Sequence, residues 1–409
     1  MKALVLAGGV PQIELICQLK KRGYTVILAD YYPEPVAKKY ADIFYQESTL
    51  DVEAIRRIAI DEKIDFLITV CTDQALLTVA KLSEELGLPC YLDYQTGLNV
   101  TNKAYMKSIF KNYSVPTADY RILNELDDNQ IEGLTFPLIV KPVDCNSSKG
   151  VRKVENREEL QEFFYQAKEL SRTKTAVVEE YIEGDEVTVD VYVENGVSNI
   201  LAVSKTEKIA AKDKFVIFRT VNPAPLSDTA CEKISVVCQK IADAFSIKDS
   251  PMLVQMIIAK DDVFVLEFSA RTGGGEKFKM IKQATGFDVI EAVIDLTEGK
   301  KPHFQKKDDR PKLIVNEFLY CDDGIFDHLE GFDELKEDGT IADYYLLKWK
   351  GVHFDEISSS GDRVAWITFL SNSIEELEEK HSKAVNRLRV IDSQGKDILR
   401  HDLMTELRR

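Results

Sequence analysis

The sequence predicts a chain of mixed class, α/β and then α+β, in which a unit built on a parallel sheet precedes regions of paired strands. Three observations carry this. The first hundred residues alternate short apolar strands with amphipathic helices, beginning with Ala3 to Ala7, a helix from Gln12 to Arg22 stopped by Gly23, and Thr25 to Ala29. From about Thr101 the texture changes to a helix followed by hairpin-like pairs of strands. After Lys300 a third region carries a strand near Val364 to Leu370, the charged helix Ser373 to Arg387 and the strand Arg389 to Ile391. Strand, helix, strand repetition implies parallel strands joined by right-handed crossovers, whereas strands in direct succession pair antiparallel. The expected division is therefore 1–100, 101–300 with a small lid at about 115–185, and 301–409 as a C-terminal α+β region.

The remaining elements follow in order. Further strands are expected at Phe66 to Val70 and Pro89 to Leu92, around a helix from Asp73 to Leu86 stopped by Gly87. A helix at Ala104 to Asn112 leads to strands at Phe136 to Pro142, Ala176 to Ile182 and Glu186 to Val193. Phe163, Phe164 and Tyr165 are expected to pack under the lid. A helix at Ala230 to Ala244 precedes the strands Met252 to Ile258 and Val263 to Ala270.

With 409 residues, 44 % of them apolar, the chain is long enough for two or three packed units. A net charge of −16 argues against nucleic acid or an anionic membrane as partner, since phosphate surfaces call for a basic field. The seven cysteines show no metal-ligand spacing and read as small buried hydrophobes in a reducing compartment. The amino terminus enters a strand at once and no apolar run approaches the roughly 18 residues of a membrane span, so a cytoplasmic protein is expected. The five histidines lack metal spacing and read as surface or structural groups, and Glu375 to Lys383 reads as a solvated helix face.

Chemistry concentrates in three stretches. In Met252 to Gly275, period-two alternation puts Phe264, Leu266, Phe268 and Ala270 on one strand face and Glu267, Ser269 and Arg271 on the other. Gln255 interrupts the preceding strand. It meets Glu267 across the hairpin if the connection has an odd residue count, and a strict two-residue turn at Asp261 and Asp262 would separate the two. Oxygen donors from adjacent strands suit Mg²⁺, and Arg271 could hold a phosphoryl group. Taken alone, the hairpin is more simply a half-exposed surface element. Upstream, Lys141 ends a strand and precedes Ser147, Ser148, Lys149 and Gly150, a small-residue loop that could cradle a triphosphate or be a plain polar turn. Lys141 is expected to be an exposed cation whose loss leaves stability unchanged. Finally, Glu179, Glu180, Tyr181 and Ile182 end a strand that could present backbone groups to an adenine edge, with Glu186 available to ribose hydroxyls.

In order and spacing these stretches resemble the ATP-grasp superfamily from residue 1 to roughly 300. The likeness is to its carboxylate–amine ligase branch, which includes L-amino acid ligases, phosphoribosylglycinamide formyltransferase, biotin carboxylase and carbamoyl-phosphate synthase. The third region looks most like the L-amino acid ligases. The resemblance implies an ATP-grasp fold behind a parallel-sheet N-terminal domain, and a cytoplasmic, ADP-forming ligase that activates a small carboxylate as an acyl phosphate and joins it to an amine. It implies ATP with Mg²⁺, or Mn²⁺, small-molecule carboxylate and amine partners, and a homodimer. By position, Lys103 and Lys141 would be the phosphate-binding lysines, Ser147 to Gly150 the loop over the triphosphate, Glu179 to Ile182 the adenine linker and Glu186 the ribose contact. Gln255, Glu267 and Ser269 would be metal ligands and Arg271 the catalytic arginine, with Gly273 to Gly275 shaping the acceptor pocket. Gln255 and Ser269 stand where relatives often carry glutamate and asparagine, which weakens the hold on a metal.

Other readings are weighed against this one. Gly8 and Gly9 after the first strand and Asp30 after the second suggest a nicotinamide-binding enzyme, but GxGxxG is missing, Pro11 suits a first helical turn and Asp30 suits a turn cap. A silent ATP-binding protein is suggested by Gln255 and Ser269 and opposed by Lys103, Lys141, Glu267 and Arg271. Biotin-carboxylase-like carboxylation would need partner domains that this chain lacks.

Overall fold

The computed structural model describes residues 1–145, 149–209, 216–307 and 309–405. The N-terminal sheet is parallel throughout, in the order Ile43–Gln46, Thr25–Asp30, Lys2–Leu6, Phe66–Ile68. Helix Val10–Lys21, with Pro11 in its first turn, follows the first strand, and Asp73–Leu86 follows the last. Because the chain runs outward from Lys2–Leu6 through Thr25–Asp30 to Ile43–Gln46 and then returns to the other side of the first strand as Phe66–Ile68, the ends of Lys2–Leu6 and Phe66–Ile68 open a crevice. Asp30 accepts from Gly8 N at 2.6 Å and from Tyr32 N at 2.7 Å, the turn cap that its position suggests.

The strand expected at Pro89 to Leu92 does not form. Proline brings no N–H to a sheet edge, and the segment instead leads through Asp93, the cap of helix Tyr94–Thr101, with Leu92 buried in the main core. Strand Ile43–Gln46 and helices Val52–Glu62 and Arg157–Leu170 are additions to the reading. Of the three aromatics placed under the lid, Phe164 is fully buried but Tyr165 lies at the surface.

A second sheet, antiparallel, runs Tyr120–Leu123, Ala176–Glu180, Leu138–Pro142, Arg152–Val154, and helix Arg157–Leu170 packs on it. The largest sheet has eight strands in the order Asp262–Ser269, Ser250–Ala259, Asp185–Glu194, Val197–Lys208, Ile217–Asn222, Leu313–Leu319, Ala365–Ser371, Asp343–Leu346. It is continuous across residue 300, so the expected boundary there falls inside one sheet. A small sheet of His353–Phe354, Gly324–Glu330 and Arg389–Asp392 completes the fold. Among the described residues, no helix is long and apolar enough to cross a membrane. Cys238 and Cys321 are buried as expected, while Cys231 is exposed and the others are half-buried.

Alternation decides what the large sheet offers. Val187, Val189, Val191 and Val193 face the core beneath helix Asp228–Ala244, which leaves Thr188 and Asp190 on the opposite face. Thr206, Thr220, Asn316, Thr368 and Asp343 stand in register across five strands, a polar row over the floor. Under the floor, Phe110, Phe245 and Phe268 form a ring cluster with centroids 4.4 to 6.0 Å apart. Phe110 is fully buried there. Phe110→Ala is expected to destabilise the protein by about 3–5 kcal/mol, read as a drop in the denaturant midpoint.

Candidate active site

The lid sheet and the large sheet enclose a cavity of about 300 Å³. Its apolar wall includes Ala118, Ile139, Ile182, Ile257 and Leu266, and Glu180 and Tyr181 border it. The linker is tied down by its backbone, Glu180 N donating to Asp119 O at 2.9 Å and Tyr181 N to Pro137 O at 3.0 Å. Gly184 permits the turn that follows, because a Cβ there would stand 2.4 Å from Ile258 O. An apolar slot bordered by a fixed extended backbone is the form that accepts a planar base.

Lys103, Lys141, Glu179, Glu186, Lys208, Gln255 and Glu267 bring charge and polarity to the same cavity. Lys103 donates to Cys145 O at 2.8 Å and lies 3.0 Å from Glu267. Burial pulls its ammonium down, but Glu267, with Asp73 farther off, more than offsets this and holds it above the ordinary lysine value. Lys208 reaches Glu186 from the neighbouring strand. Tyr181 stacks under the Lys153 ammonium at 4.4 Å. Gly150 closes against Leu170 and Pro142; Ser147 and Ser148 lie outside the described residues.

Lys141 corrects the sequence reading. It is buried and bound to Glu179, whose other oxygen lies 2.7 Å from Lys107 Nζ. A cation taken out of water cannot be removed without leaving its partner less compensated. Burial would push the Glu179 carboxyl up, yet Lys107 and Lys141 hold it down at about 2.

The hairpin also differs from simple alternation. Its turn has two residues, Lys260 and Asp261, and Ala259 pairs with Asp262, a register that would set Gln255 opposite Leu266. A bulge between Gln255 and Met256 on the ladder takes up one extra residue, and Gln255 faces Glu267 instead. The apolar face is accordingly Val263 and Val265 before the bulge and Phe268 and Ala270 after it. Leu266, expected on that face, lines the cavity.

Beyond Glu267 the strand leads to Ser269 and Arg271, and both meet a residue that sequence reading overlooked. Asp73 accepts from Ser269 Oγ and grips Arg271 through two bonds, the one from Nε measuring 2.6 Å, while Arg271 Nη1 donates to Thr272 O at 2.8 Å. Burial pushes the Asp73 carboxyl up, but Arg271 and Ser269 outweigh it and hold it below its usual range. The available signal was its place, an acidic residue opening a helix at the carboxyl edge of a parallel sheet. Asp190 lies under the glycine loop. Its carboxylate has no hydrogen bond among the described residues, Lys277 is 3.8 Å away, and burial pushes it up to about 6.

Residues 134–279 match the family model of the ATP-grasp domain. That segment is an ATP-grasp domain. Formate-dependent phosphoribosylglycinamide formyltransferase of Mannheimia succiniciproducens is 23 % identical over 276 residues, 66 % of this chain and 69 % of that one. Among solved structures, the L-amino acid ligase from Bacillus licheniformis superposes with a TM-score of 0.81 at 20 % identity, covering 96 % of this chain and 98 % of that one. Phosphoribosylglycinamide synthetase from Anaerococcus prevotii gives 0.76 at 20 %, with 96 % and 99 % covered. These structures share the ATP-grasp fold, and its two sheets are the ones that enclose the cavity.

Two outcomes are expected. Lys141→Ala should lower stability by roughly 1–3 kcal/mol, measured by chemical denaturation, because Lys107 alone then compensates Glu179. Glu179 has a folded value lowered to about 2 against about 4.3 for an unfolded glutamate, so its contribution is complete above about pH 4.3 and is lost as pH falls toward 2. Melting curves between pH 5 and pH 2 should therefore be flatter for Glu179→Gln than for the native chain.

Proposed function

We propose that the protein is an ATP-dependent ligase that forms a carbon–nitrogen bond. It phosphorylates the carboxylate of a small metabolite, an amino acid or a near relative, and passes the acyl group to an amine. The observation that carries this is the order of groups around one space between the two sheets: an apolar slot, then Lys103 and Lys141, then the opposed pair Gln255 and Glu267, then Arg271. ATP lying in the slot would point its phosphates toward the lysines and the hairpin.

The donor set fits a hard divalent cation. Among the described residues no group of three or more His, Cys, Asp or Glu gathers to hold a metal, but Glu267 and Gln255 supply a carboxylate and an amide oxygen side by side. One or two protein oxygens completed by phosphate oxygens and water are what Mg²⁺ takes, and it would neutralise phosphate charge there. Ser269 is engaged by Asp73 and is the weaker candidate.

In this reading the substrate carboxylate attacks the γ-phosphorus and ADP leaves, with Lys103 and Lys141 balancing charge on the phosphate oxygens. The amine, as free base, then attacks the acyl carbon; the bond to phosphate breaks and the nitrogen gives up a proton. Arg271 stands ready for the anionic oxygen of that step. Among the described residues Asp73 and Thr272 occupy three of its five N–H groups, so the guanidinium is fixed in place with two donors left over. Closure of the lid sheet would keep water from the acyl phosphate.

A second reading, a nucleotide-binding protein without turnover, draws on Gln255, an uncharged donor where a carboxylate would hold metal more firmly. One experiment separates the two. ADP and phosphate release is measured against single amino acids and pairs, with mass spectrometry for a condensation product. Product that requires two substrates supports ligation, and ATP binding with no release under any pair supports the silent reading. Arg271→Lys should bind ATP almost normally while turnover falls by roughly 10²-fold or more, because lysine keeps the charge but not the planar fork. Turnover at the native rate would take this arginine out of the chemistry.

A further inference from the structure

Helix Lys103–Asn112 places two lysines one turn apart on a single face. Lys103 lines the cavity. Lys107 sits behind the wall with its side chain 1 % exposed, 2.7 Å from Glu179, donating to Thr117 Oγ1 at 2.7 Å and lying 5.0 Å from the Tyr120 ring. Glu179 holds Lys141, the lysine on the cavity wall, by its other oxygen. Burying an unneeded ammonium is costly, so its presence asks for a reason. Charge supplies one. Glu179 accepts from Lys141 and so fixes where its ammonium stands, but a carboxylate paired with one lysine also cancels the charge that an anion would meet. With Lys107 on the far side, the group of three carries one net positive charge, and of its two cations the one lining the cavity is Lys141.

We propose that Lys107 is a positioning residue for anion binding: it takes up the charge of Glu179 from behind, so that Lys141 is both held in place by that carboxylate and left with its positive charge available to the ligand phosphates. This rests on the nucleotide reading of the cavity. Burial pulls the Lys107 ammonium below the ordinary lysine value, against the pull of Glu179, in keeping with a group sited for its neighbours and not for solvent.

The test is a four-protein cycle on the full chain: native, Lys107→Met, Glu179→Gln and the double variant, titrated with Mg²⁺ and a non-hydrolysable ATP analogue by calorimetry. Thermal melts establish that each is folded. Lys107→Met alone leaves Lys141 and Glu179 mutually neutral, and affinity should fall at least tenfold. In the Glu179→Gln background the same substitution should cost less than about threefold, since no carboxylate remains to neutralise Lys141. A merely structural lysine would move both backgrounds alike. Native affinity in folded Lys107→Met, or an equal loss in both backgrounds, would overturn the proposal. Lys107→Gln, which can still hydrogen-bond Glu179, replaces Lys107→Met in the cycle if the methionine variant does not fold. Should the native protein itself bind no analogue, the nucleotide reading fails and this inference with it; failure confined to the cycle leaves that reading standing.

Discussion

Charges removed from water have to meet opposite charges, and in this protein that requirement shapes the site more than any single motif. Among the described residues four cations stand on or behind the cavity wall, and each has a carboxylate beside it: Lys103 has Glu267, Lys208 has Glu186, and Lys141 and Lys107 share Glu179, while Arg271 beyond them is matched by Asp73. These partners come from different pieces of chain. Lys103 and Lys107 ride on a helix before the lid, Lys141 and Glu179 on neighbouring lid strands, Glu267 and Arg271 at the edge of the large sheet, and Asp73 on the N-terminal sheet's last helix. Pairing them fastens the lid sheet, the large sheet and the N-terminal unit around one space. The same constraint separates groups that are held from groups that are available, since a cation enclosed behind the wall, such as Lys107, serves its neighbours, and one with donors to spare among the described residues, such as Arg271, can serve a ligand.

The fold was legible where local rules act alone. The N-terminal alternation of strand and helix, the stops at Gly23 and Gly87 and the hairpin from Ser250 to Ser269 follow from periodicity and turn chemistry, which depend on near neighbours. Pro89 to Leu92 shows the limit. Four residues of suitable composition became a connection because the parallel sheet already ended at Phe66–Ile68, and no local signal says where a sheet stops. The continuity of the large sheet across residue 300 was hidden for the same reason, since strand pairing over a long separation leaves no mark on either segment.

At the site, residue types were readable and their environments were not. Gln255 and Glu267 could be named as a pair, but whether they share a face turned on one bulge residue, and a bulge reverses the alternation on which the inference rests. Lys141 was placed correctly at a strand end and wrongly at the surface, because burial of a lysine depends on a carboxylate 38 positions away. Asp73 and Lys107 escaped notice because neither lies in a stretch with a pattern of its own: each acts through a residue distant in sequence, and only the fold makes the two neighbours.

The Asp73–Arg271 contact also bears on what a ligand at this arginine would meet. Asp73 opens the helix that follows strand Phe66–Ile68, so it stands beside the crevice at the carboxyl edge of the N-terminal sheet. Arg271 follows the last strand of the hairpin and leads into Thr272 and the glycines, beneath which Asp190 and Lys277 are buried. A substrate that reached Arg271 would therefore be bounded on one side by loops of the parallel sheet and on the other by the polar row Thr206, Thr220, Asn316 and Thr368. Selectivity would rest on the distance between those two walls. The ion pair between Asp73 and Arg271 ties the N-terminal unit to the large sheet, and the side chains that do the selecting need not be the ones that do the chemistry.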